Sequence, residues 1–215
     1  HGREDLFAHV DLSRTVGWFT ILFPAKLTPA ANLGASLKQI KEQLRAIPNK
    51  GIGFGALAHL GDEHARQTLQ GLAKPQLTFN YLGQFDGSFD GADDALFVPS
   101  TERGGEEVNL QGPLGSPLAL DGQVFGGELD LSWTFSADLF NAATIQRLAD
   151  DYVQELTALI AHCCDHHSGG VTPSDFPLAR LTQAQLDTLV PPPQAIDDLY
   201  PLSPMQQGML FHTLF

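Results

Sequence analysis

Cysteine is almost missing from this chain of 215 residues: only Cys163 and Cys164 occur, side by side. Neighbouring positions on a helix make a poor disulfide, so no cross-link is expected and the chain suits a reducing cytosol. Basic residues are scarce too, with 12 Lys+Arg against 25 Asp+Glu and a net charge of −13. Nucleic-acid binders draw most of their affinity from phosphate neutralisation by Lys and Arg. No basic stripe here supplies that, which argues against a nucleic-acid partner. No apolar run reaches the roughly 18 residues of a membrane span. His1-Gly2-Arg3-Glu4-Asp5 leads into no long apolar stretch, so no signal peptide is read, and the lack of an initiating Met is read as a natural start lying upstream.

What is present has a globular balance, 43% hydrophobic and 17% charged. Val16–Phe23 mixes β-branched and aromatic residues before Pro24 and predicts a buried strand, with Trp18 and Phe19 in the core. Leu33, Leu37, Ile40, Leu44 and Ile47 share one helical face, with Asn32 as N-cap and Pro48 as the stop. Glycines at 51, 53 and 55 follow, then a short helix from Asp62 to about Leu72 and a strand at Leu77–Leu82. Residues 83–115 are rich in Gly, Asp, Glu and Pro and read as a long excursion, a length that in compact domains is functional or mobile.

Leu118–Leu120, Asp121-Gly122 and Gln123–Phe125 read as a hairpin with a type I′ turn. A strand at Glu128–Ser136 comes next, and Asn141 then caps a long helix whose apolar stripe runs from Ile145 to Ile160. From Ser168, Gly169-Gly170, Pro173, Pro177 and Pro191-Pro192-Pro193 bracket one helical segment, Thr182–Leu189. Polyproline stiffens a linker, so 168–195 reads as a connector and 196–215 as the start of something new. Strands alternating with long amphipathic helices give an α/β fold.

Five segments in order resemble the signature motifs of epimerization domains of nonribosomal peptide synthetases: His1–Glu4, Arg14–Thr20, Pro48–Gly55, Phe79–Asp86 and Gly170–Phe176. Singly they are weak; in order and at sensible spacing they are specific, and Phe-Asn-Tyr-Leu-Gly-Gln-Phe-Asp favours epimerization over ordinary condensation. Asp198–His212 resembles the opening motif of a condensation domain. The resemblance implies an organisation of 1–167 as the C-terminal lobe of an epimerization domain, 168–195 as linker and 196–215 as the start of a condensation domain.

The resemblance further implies a fold like chloramphenicol acetyltransferase, two lobes around a tunnel. That tunnel receives the 4′-phosphopantetheine arm of a peptidyl carrier protein, and no cofactor is bound directly. The expected activity inverts the Cα of an aminoacyl or peptidyl thioester on that arm. The family's His-His-x-x-x-Asp-Gly motif is expected in an N-terminal lobe, and its other acid/base, a Glu two residues before the His-Gly-Arg-Glu segment, just ahead of His1. These residues alone are therefore expected to be inactive and to expose an apolar face.

Such an inversion needs a base on one face, an acid on the other and donors for the enolate oxygen. By motif match, Arg3 offers fixed charge, while Asn80 and Tyr81 offer neutral hydrogen bonds near the tunnel. His1 shares the first motif and is read as holding its loop. Two patterns are set aside. His166-His167 lacks the Asp its motif requires, since Val171 stands there. His162–His167 has no second pair of metal ligands and reads as a solvated helix end, where His suits the dipole. Two other activities fit the same motifs less well: peptide-bond formation by a condensation domain, and a non-catalytic scaffold that docks carrier proteins.

Overall fold

Cap chemistry sets where the first helix begins. Asn32 is extended, and its side-chain oxygen accepts from the Ala35 N–H at 2.9 Å, starting α1 (Leu33–Arg45). The polar side of α1 then holds the chain that leads into it. Gln43 accepts from the Thr28 N–H and donates to the Thr28 carbonyl, which Gln39 also reaches, while Ser36 bonds both backbone groups of Ala30. The computed structural model describes residues 8–17, 19–84, 105, 109, 111–165, 168–190 and 196–214. They divide into two units, His1–Leu72 with Leu156–Phe215, and Ala73–Glu155.

In the first unit, a 3-10 turn at Pro48–Gly51 follows α1, with Asn49, Lys50 and Gly51 all at positive φ. Gly51 is required there. Its φ is 87°, and an added Cβ would lie 2.2 Å from the Phe23 ring. Next comes α2 (Ile52–Leu60), a helix the glycine spacing did not announce, because each internal Gly costs roughly 1 kcal/mol of helix propensity. Asp62 caps α3 (Glu63–Gln70) through the Ala65 N–H, as its sequence predicts. The expected strand at Val16–Phe23 is not formed among its described residues; Val16 is 96% exposed. β-branched residues favour a strand only where a neighbouring strand completes the ladder.

The C-terminal part of this unit is strapped to α1. Thr172 and Asp175 form a reciprocal capping box around a short turn at Pro173–Asp175. Lys41 reaches both Asp175 oxygens at 2.6 Å, the Ser174 N–H donates to Glu42, and Lys38 pairs with Asp187 at 2.6 Å. Asp187 sits on α5 (Gln183–Leu189), which Thr182 and Gln185 cap reciprocally. Beneath the polar clasp lie Thr172 (1% exposed), Phe176, Leu186 (0%) and Val190. Residues read from composition as a connector thus supply buried packing. Past them stands α6 (Pro204–Leu214), capped by Ser203 and exposed along its length.

The second unit is a three-stranded sheet in the order β1-β2-β3 with the start of a long helix. β1 (Leu77–Gln84) runs parallel to β2 (Leu118–Phe125), and β2 pairs antiparallel with β3 (Glu128–Phe135). Parallel neighbours need a long crossover; of the expected excursion at 83–115, residues 85–104, 106–108 and 110 lie outside the described residues. The hairpin turn is not Asp121-Gly122. Those residues lie mid-strand in β2, and the chain reverses at Gly126-Gly127, whose φ values of 63° and 75° suit a primed turn better than the Asp at 121 does. Asn141 caps α4 (Ala142–Cys164) through the Ala143 N–H. On α4, Tyr152 meets Trp133 edge-on at 5.8 Å, and Ile145 is buried.

Replacing Leu186 with Ala empties a fully buried site and is expected to cost about 2–5 kcal/mol, read from urea unfolding. A pH effect follows from the clasp. Partial burial raises the pKa of Asp175, but hydrogen bonds from Lys41 and Thr172 outweigh it and hold the carboxyl below 3.8. Burial likewise raises the pKa of Glu42, and hydrogen bonds from Ser174 and Thr172 bring it below 4.5. Both carboxyls bind protons more weakly folded than unfolded, so their support is complete above those ordinary values and disappears as pH falls through the depressed ones. Amide exchange at 172–190 is expected to accelerate below pH 3.8, and to a smaller degree in Asp175→Asn.

Candidate functional site

Strand register sorts the sheet into two chemically distinct faces. Side chains alternate along a strand, and paired residues share a face. Leu77, Phe79 and Tyr81 on β1 align with Leu118, Leu120 and Gly122 on β2, and these with Phe135, Trp133 and Leu131 on β3. That face is apolar. Leu118 and Leu120 are buried within it, but on β1 Phe79 and Tyr81 stay 57% and 53% exposed. The opposite face carries Thr78, Asn80, Asp121, Ser132 and Thr134.

On the polar face the Asn80 Nδ2 donates to Asp121 Oδ1 at 3.1 Å, and the Thr78 and Ser116 hydroxyls are hydrogen-bonded. An amide held in this way presents fixed donor and acceptor positions without carrying charge. On the apolar face, Tyr81 lies against Gly122. A Cβ added there would meet Tyr81 Cδ2 at 3.4 Å, an ordinary contact, and crowd Leu131 Cδ2 at 3.1 Å, so the glycine makes room chiefly for Leu131.

Asn80 and Tyr81 are therefore neighbours in sequence that leave opposite faces of β1. Among the described strands β1 is an edge, so a ligand lying along that edge can meet both. Arg3, the charged member of the expected set, and His1 lie outside the described residues, as do Trp18, Phe85 and Asp86. Asp121 does not stand out in the sequence as a site residue. Followed by Gly it reads as a turn, and only the parallel register puts it opposite Asn80.

The first unit holds one further concavity, a cleft of about 540 Å³ lined by Lys38, Gln39, Glu42, His162, Gln183 and Asp187 among others. Its charged groups are already engaged in the clasp, through Lys38–Asp187 and Glu42 with Ser174. That reads as scaffold. His162, Cys163 and Cys164 end α4, where the His162 carbonyl accepts from the Ser168 hydroxyl; His166 and His167 fall outside the described residues. Among the described residues no group of three or more His, Cys, Asp or Glu could hold a metal ion. No described helix is long and apolar enough to cross a membrane.

Comparison with known proteins places these observations in a family. A model of the condensation domain matches residues 1–182. Over its whole length the chain is 46% and 42% identical to parts of two different proteins of linear gramicidin synthase from Brevibacillus parabrevis. Over 88% of its length it is 36% identical to part of tyrocidine synthase 1 from the same organism. It spans 4%, 3% and 18% of those three proteins.

Among solved structures it is similar to the epimerization domain from the third module of tyrocidine synthetase B, with a TM-score of 0.65 and 36% identity. That match covers 76% of this chain and 36% of that one. The mixed α/β architecture around a small sheet is the fold of that domain. By sequence and by fold, the chain belongs to the condensation-domain family of nonribosomal peptide synthetases.

Proposed function

We propose that this chain is the C-terminal lobe of an epimerization domain, which inverts the Cα of an aminoacyl or peptidyl thioester before the next condensation. The observation that carries the reading is the Phe79–Asp86 motif together with the similarity to a solved epimerization domain at 36% identity. In this reading residues 168–195 lead out of the domain, and 196–215 open a condensation domain downstream. The substrate arrives on the phosphopantetheine arm of a carrier protein. The base and acid that move the proton belong to a companion N-terminal lobe and to a Glu ahead of His1.

Within that division of labour, these residues supply electrostatics and binding. Removing an α-proton beside a thioester builds negative charge on the thioester oxygen, and fixed donors aimed at such charge are a large catalytic contribution. Arg3 is proposed for that role, with Asn80 and Tyr81 holding the arm or the substrate by neutral hydrogen bonds at the β1 edge. The half-exposed row of Leu77, Phe79 and Tyr81 fits an apolar surface that a companion lobe covers.

One finding favours a second reading. The matching family model is that of the condensation domain, whose chemistry is acyl transfer to form a peptide bond. The two activities separate in one experiment on the intact domain with a loaded carrier protein. Epimerization predicts incorporation of solvent deuterium at Cα and formation of the D-residue without any acceptor amine. Peptide formation with no Cα exchange would establish condensation instead. A carrier protein bound with neither reaction would leave only docking.

Arg3→Ala in the intact domain is expected to slow exchange about 10²-fold or more without abolishing carrier binding, measured by deuterium incorporation and by pull-down with the carrier protein. The 215 residues alone are expected to give no exchange.

A further inference from the structure

A side-chain amide is ambiguous until something orients it, because its NH2 and C=O ends are nearly the same shape. On β1 the orienting group is a carboxylate from the next strand. Parallel register sets Asn80 opposite Asp121, and Asn80 Nδ2 donates to Asp121 Oδ1 at 3.1 Å. An ionised carboxylate accepts hydrogen bonds and cannot donate them, so only the NH2 end of Asn80 can face β2. The planar amide then turns its carbonyl oxygen away from Asp121. One rotamer is selected and the flipped one, with carbonyl against carboxylate, is repelled.

We propose that Asp121 is a positioning residue for the site. By holding the NH2 of Asn80 against β2, it makes Asn80 a hydrogen-bond acceptor toward the ligand, one that recognises an amide N–H. A pantetheine arm and a peptidyl thioester both carry amide N–H groups, so a ligand of that class meets its complement here. The inference rests on the reading of Asn80 as a site residue. It adds the polarity of that residue, the partner that fixes it, and the chemical group it takes.

The test uses the intact domain, a loaded carrier protein and solvent-deuterium exchange at Cα, with kcat and KM separated and melting temperature followed in parallel. Asn80→Ala is expected to slow exchange by about tenfold, the loss of one hydrogen bond to a polar ligand. Asp121→Leu is expected to slow it to a similar extent, and the double variant to be no slower than Asn80→Ala, because Asp121 acts through Asn80. Asp121→Lys allows an inter-strand hydrogen bond of opposite polarity, because an ammonium only donates and so draws the Asn80 carbonyl toward β2 and leaves its NH2 toward the ligand. Its melting temperature is expected to stay near the wild-type value while exchange slows. Exchange that keeps the wild-type rate with stability retained would mean a merely structural contact and would overturn the proposal, as would additive single effects or an unaffected Asp121→Leu. If Asp121→Leu does not fold, Asp121→Lys decides alone. Unchanged exchange in Asn80→Ala overturns the proposal and the site reading beneath it together.

Discussion

The parallel pairing of β1 with β2 is the constraint on which the sheet and its candidate site both depend. One register puts Leu77, Phe79 and Tyr81 in line with Leu118, Leu120 and Gly122, and Asn80 in line with Asp121. A slip of one residue would carry every β1 side chain to the other face, setting Phe79 among polar groups and Asn80 among apolar ones. The apolar rows across all three strands make that slip costly, so hydrophobic patterning fixes the position of a polar pair that contributes little to stability itself. The hairpin at Gly126-Gly127 secures β2 against β3 and so anchors the register from the far side.

In the other unit the organising element is α1, which is gripped from two directions. Glutamines and a serine on one part of its surface hold residues 28–30, while Lys38, Lys41 and Glu42 hold 174–187. Ion pairs this exposed contribute about 0–1 kcal/mol each. The larger contribution comes from burial of Phe176, Leu186 and Val190, about 1.5–3 kcal/mol per side chain before entropy. The charged clasp chooses where the strap docks, and the apolar residues hold it there.

What could be read in the sequence follows the range of the physics involved. Caps are local chemistry, and Asn32, Asp62, Asn141 and Thr182 all start helices where their sequences say they should. β1 and β3 were legible from alternation, and the family from ordered motifs. The errors arose where a partner decides. Val16–Phe23 has strand composition but no strand forms among its described residues, and Asp121-Gly122 has turn composition but lies between two strands that claim its backbone. The site followed the same rule. Asn80 could be picked from a motif, whereas the opposite facing of Tyr81 and the role of Asp121 depend on pairing across dozens of residues.

The buried end of the strap has a consequence for whatever comes after it. Val190 is fixed against its unit, and only Pro191-Pro192-Pro193-Gln194-Ala195 separates it from Ile196. A fully stretched chain covers at most about 3.3–3.6 Å per residue, so Ile196 lies within roughly 20 Å of that anchor. In the proposed reading, where a condensation domain opens at 196, so short a connection holds that domain at a local concentration on the order of millimolar. Contact between the two domains of that reading then requires no strong affinity, and surfaces that would never associate as separate solutes can still meet, release and meet again.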